Sequence, residues 1–382
     1  MNSRNGFGTV ICATLAWATS SAAALGQNDP ADCRVLASPG DDSPPSFTQT
    51  TADRPPYAGG SDEGSFPSCC FPQWTASAGC IILDRVGGTS QTLVETVPAS
   101  VKYKDLRKTP GTEILNGDDF QPGFSGGPSL DLIRRDESGY DLELSYFQID
   151  GWNCDRTAGP VNPRVDWLVM RAPGGFIQTN QFPLKPQAMV WDDATELYNT
   201  EFNVQWHPSS GVTMLAGFRW VNMRENLLGS LEPPFIAGEP PFWNTTTTNN
   251  LFGFQIGADG KILERGRFSI DGLVKAGIFD NNAEQTTLVS IHKIPYASSA
   301  STNHAAFVGE TGLECRYQLT KSLVLKAGYE VIWLEGVALA PGQIQETYIT
   351  TGYLHSTVQA LGVNCTSGDF YHGATAGLEY SF

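Results

Sequence analysis

The sequence predicts an all-β fold in which about ten antiparallel strands close into a transmembrane β-barrel, and three observations support this prediction. The 382 residues include 40 glycines and 11% aromatic but only 17% charged residues, which disfavours helical bundles and coiled coils. After Trp74, apolar and polar residues alternate along most segments. Short turns between paired segments alternate with long connections, as they do in outer-membrane barrels.

The N-terminus has the three parts of a secretory signal peptide over residues 1–26. Arg4 supplies the basic start, Phe7–Trp17 is a short apolar core, and Ser21–Ala24 offers a small-residue cleavage site. Residues 27–73 are rich in Pro, Ser, Asp and Gly. Because such a composition cannot bury a core, we predict a flexible lead-in there.

Export leaves two environments for the predicted domain over residues 74–382. No run near the ~20 apolar residues of a membrane helix follows the signal peptide. The chain is therefore either a barrel in the outer membrane of a Gram-negative-type bacterium or a soluble exported β-protein, and the alternation of loop lengths favours the barrel. The formal net charge of −16 argues against nucleic acid as a partner, because neutralising phosphates requires a basic surface.

The clearest predicted strand is Tyr198–Trp206, in which every second residue is Tyr, Thr, Phe, Val or Trp and the others are polar. Phe202 should therefore face lipid, and its neighbour Glu201 should face the lumen. We expect each strand to span about 9–13 residues, close to the length of membrane-barrel strands. The same alternation predicts strands over 140–146, 214–220, 252–256, 268–278, 307–317 and 323–333.

Short turns join these strands, together with one predicted near residues 128–135, in pairs. They are predicted at 136–139, at 208–211, from Asp259-Gly260 onwards, and at 319–321. The four pairs give eight strands, and strands at Trp74–Asp84 and Tyr371–Phe382 complete ten, with both ends of the barrel on the periplasmic side.

The segments between the pairs are predicted to be long, irregular outer loops. They cover residues 85–127, 151–195, 224–247, 280–303 and 334–370. One of them contains two short apolar runs, 165–170 and 176–179. If these runs formed another hairpin in the barrel wall, the barrel would have twelve strands.

The last strand carries an independent signal for membrane assembly. Every second residue from Ala374 to Phe382 is Ala, Leu, Tyr or Phe. Outer-membrane barrels commonly end in such a strand, with a terminal aromatic residue that the assembly machinery reads, so we assign Tyr380 and Phe382 to this signal. The alternative is the buried final strand of a soluble sandwich.

Several segments follow one another in an order that is more specific than any one of them. They are Trp74–Ala78, Asp118–Phe120, Asp141–Phe147, Ala216–Arg219, Thr248–Gly257, Lys275–Phe279, Ala327–Tyr329, Trp333–Pro341 and Phe370–Ala374. In this order they resemble the β-barrel porin 7 (BBP7) family of planctomycete outer-membrane proteins. The resemblance covers residues 74–382 and implies an outer-membrane barrel with no catalytic residues to carry over.

Charged residues on the opposite face of the predicted strands are expected to line the lumen. They are Asp141, Glu143, Glu201, Arg219, Asp271, Lys275, Glu310, Glu314, Arg316, Lys326, Glu330 and Glu379. Acids outnumber bases in this set, and both signs inside a narrow barrel suggest a salt-bridged filling.

Two hypotheses about function follow from this lumen. The first is a narrow, weakly cation-preferring channel for small solutes. The second is a structural or surface-interaction barrel whose long loops are the working part. In both hypotheses the partners are outer-membrane lipid and the barrel assembly machinery.

No catalytic, cofactor or metal site is predicted, although one motif resembles an enzyme's. Gly123–Pro128 reads GFSGGP, similar to the nucleophile motif of chymotrypsin-like proteases. In that fold a His that precedes the Ser takes its proton, whereas the first His here, His207, follows Ser125. We therefore predict that the chain is not an enzyme and that the motif is a glycine-rich strand entry.

Two smaller groups of residues have competing interpretations. Asp192, Asp193 and Glu196 suggest a cation site at the rim, but a solvated acidic loop fits them better because no EF-hand-like spacing accompanies them. Export permits a disulfide between Cys154 and Cys365, against the alternative of scattered thiols.

Overall fold

The computed structural model describes residues 73–179, 186–234, 240–291, 293–350 and 356–382. The predicted signal peptide and the lead-in up to residue 72 lie outside the described residues. Within the described ranges, no helix is both long enough and apolar enough to cross a membrane.

The described residues form sixteen strands and three short 3-10 turns. The first eight strands are β1 (Trp74–Val86), β2 (Thr92–Pro98), β3 (Thr112–Asn116), β4 (Gly123–Arg134), β5 (Tyr140–Val161), β6 (Asp166–Ala172), β7 (Gly175–Gln178) and β8 (Gln187–Ser209). The others are β9 (Val212–Glu232), β10 (Trp243–Arg265), β11 (Phe268–Ile291), β12 (Ile294–Gln318), β13 (Leu323–Val337), β14 (Thr347–Thr350), β15 (Thr357–Ala360) and β16 (Ser367–Ser381). The 3-10 turns are Tyr103–Asp105, Gly117–Asp119 and Pro341–Ile344.

Ten of the strands close into one antiparallel barrel, which confirms the predicted fold class. Around the ring their order is β1, β16, β13, β12, β11, β10, β9, β8, β5 and β4. The ring closes where the first and last strands pair from Thr75 opposite Ser381 to Val86 opposite Phe370. Closure leaves no exposed edge along the shared part of the wall.

The alternative of twelve wall strands is wrong. The extra hairpin exists as β6 and β7, but it belongs to a separate four-stranded sheet in the order β3, β2, β6, β7. A hairpin signal in the sequence shows that two strands pair with each other, and it does not show which larger sheet they join.

The strands are longer than predicted, and three of the predicted outer loops, 151–195, 224–247 and 280–303, are mostly strand. β8 to β12 contain 21–25 residues each. β9 and β10 run through most of 224–247, and β11 and β12 leave only residues 292–293 between them. In the halves of these strands away from the short turns, most outward residues are polar, for example Asn226, Thr246 and Asn282, so the apolar-polar contrast fades although the strands continue.

The turn predicted at Asp259-Gly260 is also misplaced. β10 continues through these residues to Arg265, and the chain reverses at Gly266 and Arg267. Gly266 has a φ of 63°, a left-handed conformation that glycine adopts without steric cost. Asp-Gly is a common hairpin dipeptide, but here the cross-strand register places it within the ladder.

The outward face of the barrel carries a belt of exposed apolar side chains. Phe254 and Ile278 are 77% and 75% exposed, and Phe202 in β8 is 50% exposed. Exposed aromatic residues lie at both borders of this belt. On the side of the four short turns they are Tyr140, Trp206, Tyr317, Tyr380 and Phe382, and on the far side they are Phe124, Phe252 and Phe370.

Six neighbouring strands rise beyond the belt and carry a folded cap. β5 and β8 to β12 extend past the level at which β1, β4, β13 and β16 end. The cap consists of the four-stranded sheet (β3, β2, β6 and β7) and the β14–β15 hairpin, and it packs inside this taller half. The apolar residues that join cap and wall include Leu93, Met170, Trp191, Trp243 and Ile349, all buried in one cluster.

Candidate functional site

The barrel interior is the candidate functional site, and it is built in layers from the turn side outward. The first layer, the turn-side ionic layer, consists of Asp271, Glu314, Arg316, Lys326 and Glu379. The Arg316 guanidinium forms an ion pair with Glu379, and its nitrogens lie 3.6 Å from Glu314 Oε1 and 3.8 Å from Asp271 Oδ2. Lys326 Nζ lies 3.0 Å from Glu314 Oε2. Both cations are thus shared between carboxylates.

The second layer is a quartet of two bases and two acids, Glu201, Arg219, Lys275 and Glu310. Arg219 Nη1 lies 2.7 Å from Glu310 Oε2, and Arg219 Nε lies 3.5 Å from Glu201 Oε1. Lys275 Nζ lies 3.0 Å from Glu201 Oε2 and 2.9 Å from Glu310 Oε1. The four ion pairs form a closed ring with no net charge.

Amides extend this central quartet to the neighbouring strands. Asn203 Nδ2 donates to Glu143 at 2.9 Å and to Glu201 at 3.2 Å, and Gln255 Nε2 donates to Glu201 at 2.7 Å. Such buried ion pairs add little net stability over apolar packing, but breaking one leaves an unpaired charge at high cost. The layer therefore fixes the relative positions of the strands that contribute to it.

The third layer is apolar and follows directly on the quartet. Its members are Ile81, Leu83, Phe147, Ile149, Trp152, Leu197, Val221, Met223, Leu251, Phe279, Ala306, Val308, Ile332, Leu334, Val337, Leu339 and Tyr371, all buried. Trp152 packs on Tyr371 with ring centroids 5.2 Å apart, and its indole Nε1 donates to the Leu83 carbonyl at 3.1 Å. Side chains fill the interior at this level, as expected in a barrel of few strands.

The fourth layer, the outer ionic cluster, is centred on Arg85. Its guanidinium contacts three carboxylates: Asp369 at 2.7 Å, Glu225 at 2.7 Å and Asp193 at 3.1 Å. The side chains of all four residues are at most 3% exposed. Tyr371 Oη also donates to Asp369 at 2.8 Å. One cation thus holds three acids together, and the cluster has a formal charge of −2 with these carboxyls ionised.

The chain after β13 enters the interior above this cluster. Gly336, with a φ of 81°, turns it inward, and Pro341–Ile344 is entirely buried. The side-chain amide of Asn249 donates to the Ala338 carbonyl at 2.9 Å and accepts from the Ala338 amide at 2.7 Å. The Ala340 amide donates to Glu225, so the outer ionic cluster also anchors this inserted segment, residues 337–344.

The sequence-predicted lumen residues therefore fall into two of the four layers. Asp271, Glu314, Arg316, Lys326 and Glu379 form the turn-side ionic layer, and Glu201, Arg219, Lys275 and Glu310 form the quartet. Glu143 joins the quartet through Asn203, and Glu330 faces the same interior from β13. Asp141 lies at the turn end, where its Oδ2 is 3.0 Å from His207 Nε2.

The outer ionic cluster was not predicted from the sequence. Arg85 continues the inward series of Ile81 and Leu83 in β1, so the alternation itself placed it inside. Its acidic partners lie in segments predicted to be loops. The acidic pair at the rim was also misread, because consecutive strand residues point to opposite faces: Asp193 is buried against Arg85 and Asp192 is exposed outside.

Asp192 has a like-charged neighbour on the outer surface beyond the belt. It lies opposite Asp155 in the β5–β8 ladder. Partial burial, followed by the charge of Asp155, raises the pKa of the Asp192 carboxyl. Among the described residues, no group of three or more acidic, His or Cys side chains could hold a metal ion.

Two further sequence motifs have structural roles here. Ser125 lies in β4, and its hydroxyl donates to the Asp150 carbonyl at 3.4 Å. The disulfide between Cys154 and Cys365 is not formed: both are free thiols, as are Cys80 and Cys315. Burial raises the pKa of the Cys365 thiol.

The last residue takes part in closing the ring. The Phe382 amide donates to the Trp74 carbonyl at 2.9 Å, and the Trp74 amide donates to the Phe382 carbonyl at 3.0 Å. The rings of Tyr380 and Phe382 stack outside the barrel with centroids 5.9 Å apart. The predicted assembly signal is therefore exposed at the turn-side border of the belt.

Deleting Phe382 should lower the amount of barrel in the outer membrane and lead to periplasmic degradation. The deletion removes both backbone hydrogen bonds at the seam and the exposed terminal ring. Membrane fractionation with a heat-modifiability gel measures the effect, with Phe382→Tyr as the control that keeps an aromatic terminus. Normal membrane levels of the deletion variant would contradict the assembly role.

Comparisons with known proteins are limited to distant structural likeness. No protein-family model matches the sequence, and no curated protein matches it. The outer membrane protease OmpT from Escherichia coli is 9% identical over 81% of this chain and 97% of its own, with a TM-score of 0.43. The Ralstonia pickettii toluene transporter TbuX is 8% identical over 82% and 90%, with a TM-score of 0.31. A Pseudomonas aeruginosa FadL homologue is 12% identical over 81% and 90%, with a TM-score of 0.29. At these identities and TM-scores, the likeness assigns no activity to this chain.

Proposed function

We propose that the chain is an outer-membrane β-barrel protein with a closed lumen, which holds a folded cap at the cell surface and does not conduct solutes. The observation that carries this proposal is the inserted segment 337–344, hydrogen-bonded to the wall above a fully buried apolar layer. A solute would have to displace both the segment and the layer. The surface-interaction hypothesis therefore fits the interior better than the narrow channel.

The placement in the membrane is supported by the outward side chains. The apolar belt with aromatic residues at both borders is the arrangement that outer-membrane barrels present to lipid. Both ends of the barrel, Trp74 and Phe382, lie on the side of the short turns. With this side in the periplasm, the cap stands outside the cell, and the partners are outer-membrane lipid and the assembly machinery.

The family assignment is part of the same proposal. The ordered segments between Trp74 and Ala374 support membership of the planctomycete BBP7 family. The word porin in that name implies a channel, whereas the basic residues of this lumen are held between carboxylates in shared ion pairs.

The folded protein should give no steady conductance in planar lipid bilayers. A heat-modifiability gel first establishes that the sample is folded, and an open porin in the same bilayer serves as the positive control. Regular conductance steps would contradict the closed lumen. If those steps were cation-preferring and the preference fell in a Glu310→Gln, Glu314→Gln variant, the narrow channel would be the correct function.

A further inference from the structure

A basic loop lies at the outer end of the cap, between β2 and β3. It spans residues 99–111 and exposes Lys102, Lys104, Arg107 and Lys108, with Asp105 as its single acid. The chain as a whole has a net charge of −16. Four cations within seven residues therefore form a local positive surface on an acidic protein.

The loop is held in place by buried contacts. Leu106 is fully buried in a small apolar cluster with Val97, Val169 and Phe176. Arg171 donates from Nη1 to the Leu106 carbonyl and from Nη2 to the Thr109 carbonyl, both at 2.6 Å. These contacts fix the backbone, so the exposed cations are presented on an ordered support and the entropy cost of binding is reduced.

The support itself is fixed by a second set of contacts in the cap. Arg171 Nε lies 2.6 Å from Glu95 Oε2, which ties β6 to β2. Glu113 in β3 accepts hydrogen bonds from the Thr92 hydroxyl and the Asn116 amide, and these lower the pKa of its carboxyl. Both acids thus have partners other than the exposed cations of the loop.

The exposed cations have no acidic partner among the described residues. No carboxylate lies within 4.0 Å of Lys102, Lys104, Arg107 or Lys108 in the described part of the chain. The interior cations differ sharply, since each base of the three ionic layers is shared between two or more carboxylates. The charge of the loop is thus available to an external anion.

An aromatic ring lies among these cations. Tyr103 is 47% exposed and packs against Phe176 with ring centroids 5.3 Å apart. Arg164 adds another exposed cation beside the base of the loop, where the Ala99 amide donates to the Val165 carbonyl at 2.8 Å. A supported, half-exposed tyrosine offers an apolar face and a polar hydroxyl, which suits the CH face and hydroxyls of a sugar ring.

We propose that the basic loop binds an acidic polysaccharide at the cell surface, through its cations and Tyr103. A chain of sugars carrying carboxylates or sulfates supplies repeated anions for the lysines and arginines and ring faces for the tyrosine. Lipid headgroups fit less well, because the loop lies at the cap end far from the belt. The proposal rests on the proposed function in one respect, that the cap faces outward.

The first experiment measures binding of the detergent-solubilised full chain to heparin and to polygalacturonate, with neutral dextran as the uncharged control. Heparin carries sulfates and carboxylates, and polygalacturonate carries carboxylates alone. Binding to either acidic polymer, with none to dextran, supports the proposal. Binding to neither overturns it.

A four-alanine variant at Lys102, Lys104, Arg107 and Lys108 tests the loop. Its Kd for the bound polymer should rise about tenfold or more, and the slope of log Kd against log salt should fall by about three, because four counterion-releasing contacts are lost. The matched control replaces Lys261, Arg265, Arg267 and Lys321 at the turn end with alanine, which removes the same charge. Equal losses in both variants would show attraction by overall charge and overturn the assignment to the loop.

Two further arms complete the test. Tyr103→Ala should weaken binding with little change in the salt slope, and an unchanged Kd would remove the tyrosine from the site. Duplex DNA bound as tightly as the polysaccharide would overturn specificity for sugars.

All these measurements use solubilised protein and are independent of conductance, so an open lumen would defeat the proposed function without defeating this site. Conversely, intact cells that fail to bind heparin, although the purified protein does, would locate the failure in the orientation.

Discussion

Replacing Arg85 with methionine should destabilise the barrel by about 3–5 kcal/mol, the range for breaking a buried charge network. Methionine fills much of the same volume, so the loss is electrostatic. Asp193, Glu225 and Asp369 would be left as buried carboxylates with no cation between them. Urea unfolding in detergent micelles, followed by tryptophan fluorescence, measures the change in unfolding free energy.

Arg134→Met is the matched control for the Arg85 variant. Arg134 is exposed and lies over the Trp74 ring at 5.7 Å, a contact worth about 0.5–1 kcal/mol at the surface. Adding Asp193→Asn to the Arg85 variant should recover part of the lost stability, since it removes one unpaired charge. If Arg85→Met costs no more than Arg134→Met, the cluster is solvated and does not anchor the inserted segment.

Replacing Phe202 with arginine should cost about 2–4 kcal/mol if its position lies in the lipid midplane. Phe202 is half exposed at the centre of the belt. Ser301→Arg, on an exposed face of β12 beyond the belt, is the control and should have little effect. Refolding into lipid vesicles at graded urea concentrations gives both values, and equal costs would place the belt outside the lipid.

The neighbouring substitution, Glu201→Arg, separates what the sequence predicts from what the structure predicts. The alternation alone places Glu201 in the lumen, where another charged side chain should be tolerated. It therefore predicts that Glu201→Arg destabilises the barrel much less than Phe202→Arg does. The structure reverses this expectation, because Glu201 forms ion pairs with both Arg219 and Lys275. A third cation there should cost at least as much as the substitution in the belt.

The wall strands could be predicted from the sequence within the belt because their two faces meet different environments, lipid outside and the barrel interior inside. Lipid selects apolar residues outside, and at the level of the turn-side ionic layer and the quartet the interior holds polar ones, so a strict period of two marks the strands there. Beyond the belt both faces meet water or the cap, and the period weakens. β9 shows this change: Phe218 and Arg219 follow the rule, whereas Asn226 faces out and Leu227 faces in.

The ion pairs could not be predicted in the same way. Alternation places Arg219 and Glu310 on inward faces, but they are 91 residues apart and meet only because of the register of the intervening strands. Arg85 and Glu225 are separated by 140 residues. Period-two patterns carry the direction of a side chain and no information about its height in the barrel, and height decides which charges pair.

The core that joins cap and wall makes the outer part of this protein unsuited to modular exchange. Surface loops of a barrel are usually the parts that tolerate truncation and grafting. Here Trp191 and Trp243 of the wall are fully buried in a cluster that also contains Leu93 and Ile349 of the cap. Trimming the cap would expose these tryptophans to water. Cap and barrel therefore form one cooperative unit, in which changes at the cell surface are transmitted to the stability of the whole wall.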